Sequence, residues 1–120
     1  MVSRADHIAG LDVARLTPAD IDYFFKTLLP RVPKRVPDDR QPVLRQLQFR
    51  LHALAVYLGD PLAPSMNQRD VVNILASICE RLERMKRRDW RARIAGTRVL
   101  EHLRNEIGEI SADLHEMSVG

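Results

Sequence analysis

Apolar residues recur at intervals of three and four along most of this chain, and that spacing predicts amphipathic helices. The pattern is clearest in a helix expected at about 40–58. Five leucines there follow one stripe: Leu44, Leu47, Leu51, Leu54 and Leu58. A stripe with this period is typical of the buried seam of an antiparallel bundle or a coiled coil.

The same pattern predicts three more helices, at about 18–29, 67–87 and 90–117. Thr17 is the expected N-cap of the first, with Pro18 at its first position. Its apolar face comprises Ile21, Phe24, Phe25, Leu28 and Leu29. The third helix, capped by Asn67 or Ser65, has the seam Val71, Leu75, Ile78, Leu82 and Met85.

Prolines and glycines predict where the helices end. A proline-rich connector at 30–42 should be extended, and Gly59 is suited to the residue after the second helix. No proline separates the third helix from the fourth, so one very long helix is an alternative. Their seams do not share a register, which favours a break near Arg87–Asp89.

These elements predict an all-α fold. No segment has the alternation of a long strand or the turn sequence of a hairpin. We therefore expect one domain over residues 1–120, a four-helix bundle-like fold with a short extra helical turn near its N-terminus.

The last helix is the longest of the four at roughly 42 Å, and it should extend roughly 10 Å or more beyond its neighbours. An exposed apolar stripe on such an overhang usually binds a partner. The sequence thus predicts a homo-oligomer. The expected self-association seam is Leu100, Leu103, Ile107, Ile110, Leu114 and Met117.

The composition of the 120-residue chain fits a soluble globular domain, with 45% hydrophobic and 29% charged residues. No apolar run approaches the roughly 18 residues that span a bilayer, so no membrane contact is expected. The single cysteine, Cys79, excludes an internal disulfide. We expect a cytoplasmic protein.

Charge is distributed unevenly behind a formal net charge of +3. Residues 71–98 carry eight basic and three acidic side chains, whereas residues 99–120 carry one and five. Arginines beside a tryptophan can bind phosphates and stack on bases. The candidate nucleic-acid surface is Arg84, Lys86, Arg87, Arg88, Trp90, Arg91, Arg93 and Arg98. The alternatives are helix-surface pairs such as Glu80–Arg84 and Glu83–Arg87, or neutralisation by the acidic last helix.

Enzyme chemistry has little support. No histidine follows a glutamate by three residues, as in di-iron bundles. His102 and Glu106 lie one helical turn apart, a spacing that also arises by chance on an acidic helix. The His52-Ala53-Leu54 start of a phosphotransfer motif lacks the polar residues that should follow it. A helix-turn-helix with Asn67 at the recognition helix would need a turn much shorter than residues 60–66 allow.

The sequence therefore favours a non-enzymatic protein–protein interaction module, a self-associating regulator or adaptor with an unidentified protein partner. Nucleic-acid binding through the basic stretch is the alternative. No cofactor, metal site or catalytic residue is expected.

Overall fold

Four α-helices account for most of residues 13–87 and 98–118, the parts of the chain that this computed structural model describes. They are α1 (Pro18–Lys26), α2 (Gln41–Tyr57), α3 (Val71–Arg87) and α4 (Arg98–Ser118). Short 3-10 turns lie at Val13–Arg15, Leu29–Arg31, Asp38–Arg40 and Ala63–Ser65. No strand occurs within these two ranges, and the predicted all-α, four-helix bundle-like fold is confirmed.

A capping box starts α1 where the sequence predicted it. The backbone N–H of Asp20 donates to Thr17 Oγ1 at 3.2 Å, and the N–H of Thr17 donates to Asp20 Oδ2 at 2.9 Å. The helix ends at Lys26, three residues before the predicted end. Pro30 lacks an N–H group and crowds the preceding turn, so the chain tightens into a 3-10 turn and leaves Leu29 exposed.

Gly59 ends the turn after α2 with a φ of +84°, as predicted. The N–H of Gly59 donates to the carbonyl of Val56 at 3.0 Å, and that of Asp60 donates to Ala55 at 3.4 Å. This pair of bonds is the Schellman arrangement, which satisfies carbonyls at a helix C-terminus.

The start of α3 lies four residues beyond the predicted position. Asn67 Oδ1 accepts the N–H of Arg69 at 2.9 Å and forms a tight turn instead of a helix cap. Asp70 caps the helix, because its Oδ1 accepts the N–H of Asn73 at 3.2 Å. The predicted caps Asn67 and Ser65 are therefore wrong.

The helices pack as a four-cornered bundle. α2 contacts both α3 and α4 along their lengths, and α1 contacts the same two helices from the opposite corner. A single straight helix over residues 71–118 would be roughly 72 Å long. The greatest dimension of the molecule is 43 Å, so α3 and α4 are separate helices. The predicted break near Arg87–Asp89 falls in residues 88–97, outside the described residues.

α2 and α4 run antiparallel, since Arg40 lies near Glu116, Arg50 near Asp113, and Tyr57 near His102. The predicted leucine seam of α2 enters the core at Leu47, Leu51, Leu54 and Leu58, and Leu44 packs at its edge.

Candidate functional site

The predicted self-association seam of α4 lies inside the bundle. All six of its residues are buried within a single chain. Five of them are at 3% exposure or less, namely Leu103, Ile107, Ile110, Leu114 and Met117, and Leu100 at the helix start is 7% exposed. The expectation of an overhanging, exposed stripe is therefore wrong, because α1 and α2 cover this face. Self-association itself stays a prediction, and it requires a different surface.

Half of the predicted nucleic-acid surface lies outside the described residues. This applies to Arg88, Trp90, Arg91 and Arg93. Lys86 and Arg87 belong to the last turn of α3. Arg84 is exposed and pairs with Glu80, whose Oε1 lies 2.6 Å from Arg84 Nη2, as the helix-surface alternative anticipated. Arg98 is exposed at the first position of α4.

Glu83 contacts a cation of α1. Its Oε1 accepts a hydrogen bond from Lys26 Nζ at 2.6 Å, and Asp22 Oδ2 lies 3.0 Å from the same ammonium group. These two carboxylates raise the pKa of Lys26. The contact ties α1 to α3.

The acidic face of α4 forms ion pairs with α2 and with the turn that precedes it. Four of its carboxylates form what we call the acidic strip: Glu106, Glu109, Asp113 and Glu116. Arg50 lies within 3.3–3.8 Å of the first three, and Arg40 lies 4.0 Å from the last. The sequence-based alternative paired this acidic helix with the basic 84–98 stretch. Among the described residues, the strip lies beside Arg40 and Arg50, which the sequence did not single out.

Asp113 is the buried member of the acidic strip, and Arg50 Nε donates to its Oδ2 at 3.3 Å. Burial raises the pKa of Asp113 above its ordinary value, and the adjacent Arg50 guanidinium opposes that rise. Glu109 and Glu116, in contrast, are largely exposed to solvent.

A groove between α2 and α4 lies beside this strip. It has a volume of about 470 Å³, and we call it the aromatic groove. Its lining residues are Gln46, Phe49, Arg50, Ala53, Leu54, Tyr57, His102 and Glu106. Phe49 is 60% exposed and Tyr57 is 46% exposed, although both are large apolar rings. Leu54, which is buried, belongs to both the groove and the core.

The end of the aromatic groove is formed by two stacked rings. The centroids of Tyr57 and His102 lie 4.1 Å apart with their planes inclined by 36°. This contact holds Tyr57 on the wall of the groove. It also covers one face of the His102 ring. Glu106, the other half of the predicted one-turn pair, faces Arg50 instead.

The remaining candidate chemistry does not form a site. Within 13–87 and 98–118, no three histidine, cysteine or acidic side chains come together as a metal centre. Cys79 is half-buried, and burial raises the pKa of its thiol, with Asp22 contributing. His52 is half-buried in α2. Every helix in these same ranges is too short or too polar to span a bilayer.

Sequence analysis missed the aromatic groove because it followed only the buried seams. A signal was present, since Phe49, Ala53 and Tyr57 form a second row on α2 at four-residue spacing. Whether such a row is buried depends on which helices flank it, and the sequence does not show that.

No protein-family model, curated protein or solved structure gives a significant match to this chain.

Proposed function

We propose that this chain is a non-enzymatic protein–protein interaction module, a cytoplasmic regulator or adaptor that binds its partner in the aromatic groove. The observation that carries the proposal is the exposure of two aromatic rings, Phe49 and Tyr57, on the walls of one groove. Aromatic residues are enriched at protein interfaces and dominate their binding energy.

The groove is not required to close the core. The fully buried residues of α2, namely Leu47, Leu51, Leu54 and Ala55, point into the bundle. Phe49 and Tyr57 lie outside this set, so folding of the described chain leaves their apolar surface in water. Burying such a ring against a partner gains roughly 25 cal/mol for each Å² of apolar surface removed from water.

The groove also offers polar groups that can orient a ligand. Arg50 and Glu106, which are partly exposed, and Gln46, which is exposed, line it. Apolar walls with a few convergent polar groups are typical of binding clefts. A volume of about 470 Å³ accommodates several side chains of a partner helix or loop.

Site-specific photo-crosslinking tests this proposal. A benzophenone amino acid at Ala53, in the groove, should give discrete protein adducts in the native host. The same probe at Ala19, which is exposed on α1, is the control. We expect adducts at position 53 only, and we expect Phe49→Asp to abolish them. Equal adducts at both positions, or none at 53, would contradict a groove-specific function.

A second candidate function, nucleic-acid binding, is supported by the eight basic side chains of residues 71–98 and by Trp90 among them. It is tested by titrating the protein with duplex and single-stranded DNA and RNA while following Trp90 fluorescence. Binding would give a saturating, salt-dependent change. Replacement of Arg87, Arg88 and Arg91 by Ala would lower the salt slope by about one unit per lost phosphate contact.

A further inference from the structure

The α4 side of the face formed by α2 and α4 changes sign of charge along its length. On α4, residues at intervals of three and four form one stripe: Arg98, His102, Glu106, Glu109, Asp113 and Glu116. The stripe therefore begins with a cation, passes the aromatic groove, and ends in carboxylates. Its basic end is also where the 84–98 stretch joins α4.

The acidic end is only partly neutralised by its own chain. Among the described residues, the arginines that reach the four-residue acidic strip are Arg40, in the turn just before α2, and Arg50 within α2. Glu116 is 56% exposed and its contact with Arg40 is long, at 4.0 Å. It can therefore accept a better-placed cation without losing a strong existing bond.

A face that is basic at one end, aromatic in the middle and acidic at the other end is complementary to itself when turned through 180°. A twofold axis at Ala53 would place Phe49 opposite Tyr57 of the partner subunit, since both lie four residues from that alanine. Ala53 is level with Glu106 across the groove. Arg98 lies eight residues before Glu106 and Glu116 lies ten after it, so the same axis brings Arg98 to Glu116 of the partner subunit.

We propose that the occupant of the aromatic groove is a second copy of this chain, bound about this twofold axis. This inference rests on the proposed function and names its partner. The twofold arrangement uses the same patch on both subunits, as most soluble homodimers do. It buries the exposed rings Phe49 and Tyr57 and pairs the two charged ends at once.

The size of the face predicts a weak dimer. The face is about 26 Å long and two helices, about 18 Å, wide. That gives roughly 500 Å² per subunit, below the roughly 800 Å² of a standard stable interface. We therefore expect a dissociation constant in the micromolar range and a monomer–dimer equilibrium that depends on concentration.

Sedimentation equilibrium of the purified full chain, from about 5 to 500 µM, measures that equilibrium. Phe49→Glu should raise the dissociation constant at least about tenfold. Val72→Glu is the matched control, because Val72 is similarly exposed on α3, which lies diagonally across the bundle from α4. Both variants should keep the helical circular dichroism and melting behaviour of the parent.

A charge exchange tests the symmetry. Arg98→Glu and Glu116→Lys should each weaken self-association about three- to tenfold, since each places like charges opposite one another twice in the dimer. An equimolar mixture of the two variants should recover the parent affinity, because both contacts are then between opposite charges.

The possible outcomes separate this inference from the proposed function. A chain that stays monomeric at 500 µM, or a dimer insensitive to Phe49→Glu, would overturn the second-copy inference. If the Ala53 probe still crosslinks a different protein, the proposed function stands without it. A monomer with no groove adducts would overturn both.

Discussion

Arg50 partly neutralises the four acidic side chains that share one face of α4. It reaches three of them while only 21% of its own side chain is exposed. The closest, Asp113, is buried, so its charged form depends on that guanidinium. A buried ion that loses its partner costs far more than a surface pair is worth.

Arg50→Met should lower the free energy of unfolding by about 2 kcal/mol at pH 7, because Asp113 is left without its cation. The pKa of Asp113 is already raised in the folded chain, so ionisation of Asp113 lowers the stability as the pH rises from the ordinary carboxyl pKa through this raised one. Without Arg50 the pKa rises further. The loss should therefore shrink as the pH is lowered to 4 and Asp113 takes up a proton. Urea unfolding at both pH values measures it.

The control for this prediction is the same change in an Asp113→Asn background, where no buried charge remains. There, Arg50→Met should cost clearly less at pH 7 and should show little pH dependence. An equal loss in both backgrounds would mean that Arg50 stabilises the fold through packing of its aliphatic stem and not through Asp113.

At the scale of the helices, the ends are specified by a few hydrogen bonds. Thr17→Ala removes the side-chain acceptor of the capping box at the start of α1. We expect a loss of about 1 kcal/mol in the free energy of unfolding, measured by chemical denaturation. Thr17→Ser keeps the hydroxyl and should restore most of it. Equal losses in both variants would point to packing of the threonine methyl group instead.

Replacing Gly59 and Gly108 by alanine should change the free energy of unfolding in opposite directions. Gly59 has a φ of +84°, which alanine adopts poorly, so Gly59→Ala should destabilise the chain by about 1 kcal/mol. Gly108 lies within α4, where an added Cβ would meet Val13 Cγ2 at an ordinary 3.6 Å. Gly108→Ala should stabilise by roughly 0.5–1 kcal/mol. Melting temperatures of the two variants should therefore move apart.

Hydrophobic periodicity and local capping signals account for what the sequence could predict. Helix positions and core-facing residues follow from a period that the sequence displays, and Thr17 and Gly59 are local signals. The start of α3 was misplaced because Asn67 and Asp70 both have capping side chains, and their competition depends on local geometry. The groove depends on which helices flank Phe49 and Tyr57, which is a tertiary property.

For the molecule as a whole, the central fact is that the α4 seam belongs to the core. Ile110 is fully buried among residues of a single chain, so Ile110→Asp should abolish cooperative unfolding and not merely dissociate an assembly. Ala112→Asp, two residues away on the exposed side of α4, should remain folded. Circular dichroism melts distinguish the two variants. A folded, monomeric Ile110→Asp chain would contradict this packing.

The stripe of charge along α4 has a further consequence for how the helix forms. A helix is partially positive at its N-terminus and partially negative at its C-terminus. Arg98 stands at the first position of α4, and Asp113 and Glu116 stand in its last two turns, so these charges oppose the macrodipole, whereas Glu101 in the first turn favours it. A peptide of residues 98–118 should be largely unfolded in water by circular dichroism. In the whole chain, α4 should then become helical only as α2 and the turn before it bring Arg50 and Arg40 to its acidic end, which makes its folding late and dependent on long-range contact.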